Sequence, residues 1–171
     1  MNRHWLTAAL AVGLAVAAIT GALAIQTGQQ APVFRLSDQF NKTWDLSGLR
    51  GNVVVVLAAT QESGRAMGPW MDNLKNAYSG RVQILGLMDL HGIPGFARGI
   101  ARSRIKKETN DPLMIDFSGA TARTYEASDN YPVVTVIDKN GVVRVVQRSG
   151  YSSQAFGAVR SAIDSALRAG R

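Results

Sequence analysis

The chain has 171 residues, 46% of them apolar, and a formal net charge of +7 in which thirteen arginines between Arg35 and Arg171 outnumber five lysines. That much apolar material forms a real core and argues against disorder, and the length suits one domain of common size beside a targeting segment. The charge suits anionic partners in general, but no cluster interleaves aromatic with basic residues, so a nucleic-acid surface is not expected.

The N-terminus reads as a targeting segment. Arg3 and His4 precede an uncharged stretch from Trp5 to Ile25, and no further charge appears before Arg35. Ala22-Leu23-Ala24 fits a small-x-small cleavage signal, which predicts a signal peptide over residues 1–24. A retained anchor is the alternative, because 21 apolar or small residues just cross a bilayer; the dominance of weakly hydrophobic alanine favours cleavage. Both readings place the folded part outside the cytoplasm. There a disulfide is permitted, yet the chain has no cysteine, and stability rests on packing. Residues 25–32 read as a polar linker ending at Pro32, and residues 33–171 as the folded domain.

Val33, Phe34 and Leu36 suggest a short strand or lid, residues 38–42 a turn, and Thr43-Trp44-Asp45-Leu46 an ordered edge with Trp44 in the core. Ser47 to Asn52 is a glycine-punctuated connection. Val53 to Ala59 is a run of seven apolar residues, four of them β-branched. It is too short to span a membrane and too uniform for a strand with one wet face, so it predicts a central strand covered on both sides. The loop Thr60-Gln61-Glu62-Ser63-Gly64 follows. A helix over Arg65–Tyr78 comes next, with Met67, Met71, Leu74 and Tyr78 on one stripe. A buried strand, a short polar loop and a helix N-terminus is where many α/β proteins hold their chemistry, since that end presents free N–H groups.

After the helix stop at Ser79-Gly80, Val82 to Met88 is a second strand and Asp89 to Gly95 a loop. Phe96 to Lys107 reads as a helix with Ala97, Ala101 and Ile105 on its apolar face and Phe96 and Ile100 beside them. Arg98 and Arg102 lie one turn apart there: a solvated face, or a docking face for an acidic partner or membrane headgroups. Leu113 to Asp116 is a short strand, with a helix from about Ala120 to Glu126. Tyr131-Pro132 leads into a strand over Val133–Asp138, and Lys139-Asn140-Gly141 turns it into a hairpin. Ser152 to Arg168 is an amphipathic helix with Ser152 or Ser153 as N-cap. This alternation predicts an α/β fold: a central mixed β-sheet with helices on both faces.

Several motifs in order carry a resemblance. Gly28-x-x-Ala31-Pro32-x-Phe34-x-Leu36-x-Asp38, then Leu49-Arg50-Gly51-Asn52 and the apolar strand, resemble the redoxin branch of the thioredoxin-like superfamily. Asp116-x-Ser118-Gly119, Ala122, Tyr125 and Tyr131-Pro132-x-x-x-Val136-Ile137-Asp138-x-x-Gly141 are similar to that family's second half. The resemblance covers nearly everything from Gly28 to Leu167, and with no cysteine it looks most like the YtfJ-type redoxin relatives of bacterial envelopes. It implies a thioredoxin-like fold, a cis bond at Pro132, and a groove in which Tyr131, Pro132 and Val133 face Gln61 to Gly64.

Where the family carries its reactive cysteine, this chain has Gln61-Glu62-Ser63-Gly64-Arg65. Thiol–disulfide exchange and peroxide reduction need a thiolate that attacks and later leaves, and a serine hydroxyl does neither. Redox activity is therefore excluded, and the expected role is a non-catalytic envelope protein binding a protein or peptide by main-chain pairing. Thr60 to Arg65 and Tyr131 to Val133 are its candidate binding segments, with Arg98 and Arg102 as a basic docking face. Two alternatives stand beside it. An anion could sit on the N–H groups after Ser63 with Arg65 assisting, although Glu62 opposes that. A remote hydrolase reading takes Ser63 as nucleophile and His91 as base, with Asp89 as a guessed orienting carboxylate, but lacks Gly-x-Ser-x-Gly. Two histidines without clustered carboxylates suggest no metal, and no cofactor is expected.

Overall fold

A computed structural model describes residues 24–169. The expected signal peptide or anchor over residues 1–24 lies, apart from Ala24, outside the described residues. Among those described, no helix is long and apolar enough to cross a membrane.

The run of valines does what its composition demands. Strand β3 (Val54–Ala59) is buried at every position and sits at the centre of a five-stranded sheet. Its parallel neighbour is β4 (Gln83–Asp89), beyond which lies β5 (Leu113–Asp116). On its other side it pairs antiparallel with β6 (Val133–Ile137), and β6 with β7 (Val143–Arg148). Odd and even positions of β3 feed two cores. Val55 and Leu57 pack with helices α1 (Met67–Tyr78) and α4 (Ser153–Arg168) on one face of the sheet. Val54 and Val56 pack on the other face with Phe34, Trp44 and Tyr125. The short helix α3 (Ala120–Thr124) buries Ala122 completely and ends at Tyr125, which packs into that second face. The fold is thus α/β, with helices on both faces of a mixed sheet, as the alternation predicts.

A hairpin of β1 (Arg35–Ser37) and β2 (Thr43–Asp45) precedes the sheet. Its turn is organised by Asp38, whose carboxylate accepts from the Phe40 and Lys42 amides and from the Trp44 indole at 2.9 Å. Ser152 caps α4 by accepting from the Ala155 amide. Tyr78 of α1 donates to Asp164 of α4 at 2.8 Å; burial, then that carboxylate, pushes its hydroxyl up to about 12.

Two expectations are corrected. Residues 25–32 are not a linker: Ile25 and Ala31 are buried, the Gly28 amide donates to Val143 O, and the Ala31 amide donates to Gly141 O. Their polar composition hides a strap attached by backbone hydrogen bonds as well as by these two apolar side chains. Nor is the Tyr131–Pro132 bond cis; every peptide bond among the described residues is trans. Trans is the cheaper isomer by about 0.5–1 kcal/mol. Here the proline is a buried entry to β6, with Val133 directly continuing the ladder opposite Ala58 and Arg148.

The helix α2 (Arg98–Glu108) joins β4 to β5 after a 3₁₀ turn at Gly95–Ala97. It has the expected extent but buries none of its residues. Only Ile105 leans on the α1 core, half-buried.

Candidate functional site

The loop after β3 is built around a serine that faces inward. Ser63 is 3% exposed. Its hydroxyl accepts from the Thr60 amide at 3.2 Å and donates to the Ser128 carbonyl at 2.5 Å, and Thr60 Oγ1 reaches the same carbonyl at 3.5 Å. The loop is thereby fastened to the turn that precedes Pro132. Ser63 makes no side-chain helix cap. A 3₁₀ turn over Gly64–Ala66 leads into α1.

These contacts bear on the readings proposed for the loop. The anion reading loses donors: the Ala66 amide is taken by Ser63 O and the Met67 amide by Arg65 O and Gly64 O. The hydrolase reading loses its base. His91 Nδ1 lies 2.9 Å from Asp89 Oδ1, the guessed orienting carboxylate, but the Ser63 hydroxyl is committed to Ser128, not to His91. Among the described residues, no group of three or more metal-ligating side chains comes together.

Pro132 and Val133 are buried and Tyr131 is half-buried, and the Ser63–Ser128 bond ties the loop to the segment before Pro132. Of the candidate residues, Gln61, Glu62 and Arg65 are exposed and Gly64 is partly so. They open in the opposite direction. Gln61, Gly64 and Arg65 form one end of a cleft of about 910 Å³ between α1 and α2. Its floor and walls carry Met67, Met71, Met88, Ile93, Ala101 and Ile105, with Arg65, Asp72, Arg104 and Asp111 among its charged residues. Gly64 keeps the loop close to the floor: a Cβ there would stand 2.7 Å from the Met88 methyl. At the far end Lys75 of α1 bonds Asp111 at 2.8 Å, a contact that raises the lysine above its ordinary value.

Arg98 is exposed and Arg102 half-buried, and both make contacts within the fold. Their guanidinium groups lie 5.0 and 5.9 Å from the Phe117 ring, and Arg102 donates to Asp38 O. They fasten α2 to the β5 end and to the hairpin, a cation–π role that sequence spacing does not reveal. The cleft itself was also hidden. Its signal was the pair of alanines at 97 and 101, small side chains on the face of the segment that lines the cleft.

No family model matches this chain, and no curated protein matches it. Solved structures do. A candidate thiol:disulfide interchange protein DsbE from Chlorobium tepidum is 24% identical, covers 84% of this chain and 99% of its own, and superposes with a TM-score of 0.66. The exposed lipoprotein thioredoxin of Streptococcus pneumoniae strain TIGR4 gives 20%, 78% and 99%, and a TM-score of 0.61. A candidate thioredoxin from Neisseria meningitidis gives 21%, 82% and 91%, and 0.60. This is a thioredoxin-like fold. At these identities the likeness concerns architecture; the thioredoxin-like body here holds no thiol, since no cysteine occurs anywhere in the sequence.

Proposed function

We propose that this thioredoxin-like protein is redox-inactive, works outside the cytoplasm, and binds an extended apolar segment of a partner protein in the cleft between α1 and α2. The absence of cysteine removes the nucleophile of thiol–disulfide exchange. The extracytoplasmic setting is supported by the N-terminal apolar stretch and by a structural neighbour named as an exposed lipoprotein. The observation that carries the binding reading is the cleft of about 910 Å³ lined by Met67, Met71 and Met88 and opening at Gln61–Arg65. Methionine side chains adapt to varied apolar ligands, and a concave apolar site with a few polar groups at its mouth is the usual form of a binding site. The partner thus meets the loop from the α2 side, not from the Pro132 side.

The test is photo-crosslinking in living cells from an unnatural residue at Gln61, with and without Ala101→Trp. That substitution fills the cleft from a half-buried position and leaves the sheet core untouched. One recurrent protein adduct, lost with Ala101→Trp, is expected. An adduct that survives the filled cleft, or none above background, overturns the assignment.

A further inference from the structure

The outward side of α2 and of the 3₁₀ turn before it has a composition of its own. From Phe96 the steps of four, three and four place Phe96, Ile100, Ser103 and Lys107 on one line, with Arg104 beside it. Phe96 is 88% exposed and Ile100 72% exposed. These are the two most exposed large apolar side chains described, ahead of Val33, which is 69% exposed and precedes β1. Arg104 and Lys107 flank Ile100 in a shallow surface depression. Arg104 also holds an exposed pair with Glu108. Along its length α2 carries Arg98, Arg102, Arg104, Lys106 and Lys107 against the single carboxylate of Glu108.

We propose that this face of α2 and its leading turn lies on an anionic phospholipid surface, with Phe96 and Ile100 entering the headgroup boundary and Arg104 and Lys107 paired with lipid phosphates. The argument is charge complementarity joined to exposed apolar side chains. A helix with cations around a narrow aromatic and aliphatic ridge is the composition that binds the interface without crossing it. The two sides of α2 meet at Ile100 and Arg104, which border both the cleft and the outward depression; Ala97, Ala101 and Ile105 line the cleft alone, while Arg102 and Lys106 pack towards Phe117 and Phe40. An acidic protein would satisfy the cations but gives no reason for a phenylalanine and an isoleucine to stand in water.

Because the chain has no cysteine, Phe96→Cys provides a single labelling site for an environment-sensitive fluorophore on the full-length protein. The readout is local, so retention of the chain by its N-terminal stretch does not affect it. With vesicles of phosphatidylglycerol in phosphatidylcholine, a blue shift is expected that high salt reverses. Arg104→Gln and Lys107→Gln should each weaken the response roughly five-fold. The same label at Asn140→Cys, on the exposed hairpin turn at the opposite end of the sheet, should stay unshifted. No shift, or an equal shift with pure phosphatidylcholine, overturns the proposal. A response to soluble polyglutamate in place of vesicles also overturns it and reassigns the face to an acidic protein.

Discussion

Helices α1 and α2 both follow strands of the same sheet and stand beside each other on one face, yet they are held by different means. α1 buries Met67, Trp70, Met71, Leu74 and Tyr78. Trp70 is fully enclosed, edge-on to Tyr151 at 5.3 Å and near Phe156 at 6.4 Å. α2 buries nothing and is attached by cations: Arg98 and Arg102 over Phe117, Arg102 to the Asp38 carbonyl, Lys106 near Phe40. Burial of large apolar side chains contributes a few kcal/mol each, while exposed charged contacts contribute a fraction of one. The lesson is that one helix specifies the fold and the other is held only well enough to present its faces.

Truncation tests that contrast most severely. Trp70→Ala should cost about 3–5 kcal/mol in urea unfolding, through the cavity it leaves between α1 and α4; a loss below about 1 kcal/mol would mean α1 is not the structural helix. The crossover that carries α2 ends more firmly than it runs. Asp116 on β5 accepts from the Ser118 hydroxyl at 2.6 Å and from the Ser118, Gly119 and Ala122 amides. Burial alone would push this carboxyl up, but those hydrogen bonds outweigh it and hold it below its ordinary value. The folded state therefore binds its proton less readily than the unfolded chain. Its stabilising contribution is present above the unfolded carboxylate value, about 3.9, and disappears as pH falls through the lower folded one. Asp116→Asn should cost about 2 kcal/mol at neutral pH and flatten the acid limb of the stability curve. If the acid limb is unchanged in the variant, that anchoring is refuted. Ile100→Ala should move stability by no more than about 0.5 kcal/mol. A larger loss in the same titration would show that α2 is packed after all.

The same contrast explains what was legible in the sequence. β3 announced itself because every residue of Val54–Ala59 is apolar, and the structure buries each one. The stripe Met67, Met71, Leu74, Tyr78 was equally readable and all four are buried, but it passes over Trp70, the largest side chain in that core. Ala97, Ala101 and Ile105 have helical spacing too, yet periodicity does not tell a packed face from one that overlooks a cleft. Side-chain volume does, and two alanines leave space. The tie at Ser63 was illegible because it depends on a carbonyl 65 residues away, at Ser128. Pro132 followed the resemblance into a cis expectation that its own surroundings do not require.

The strap of residues 25–31 has one more consequence. β7 is the last strand of the sheet, and an unpaired outer strand is a template on which another chain can add. Gly28 and Gln29 occupy the backbone groups of Val143, and Gln30 bridges Val142. Arg148 holds the Ile25 carbonyl at 3.0 Å, near the other end of the strand. The chain thus covers one end of its own border, and a protease that trimmed it back to Pro32 would leave the Val142–Val143 backbone groups open to another strand, not merely shorten the protein.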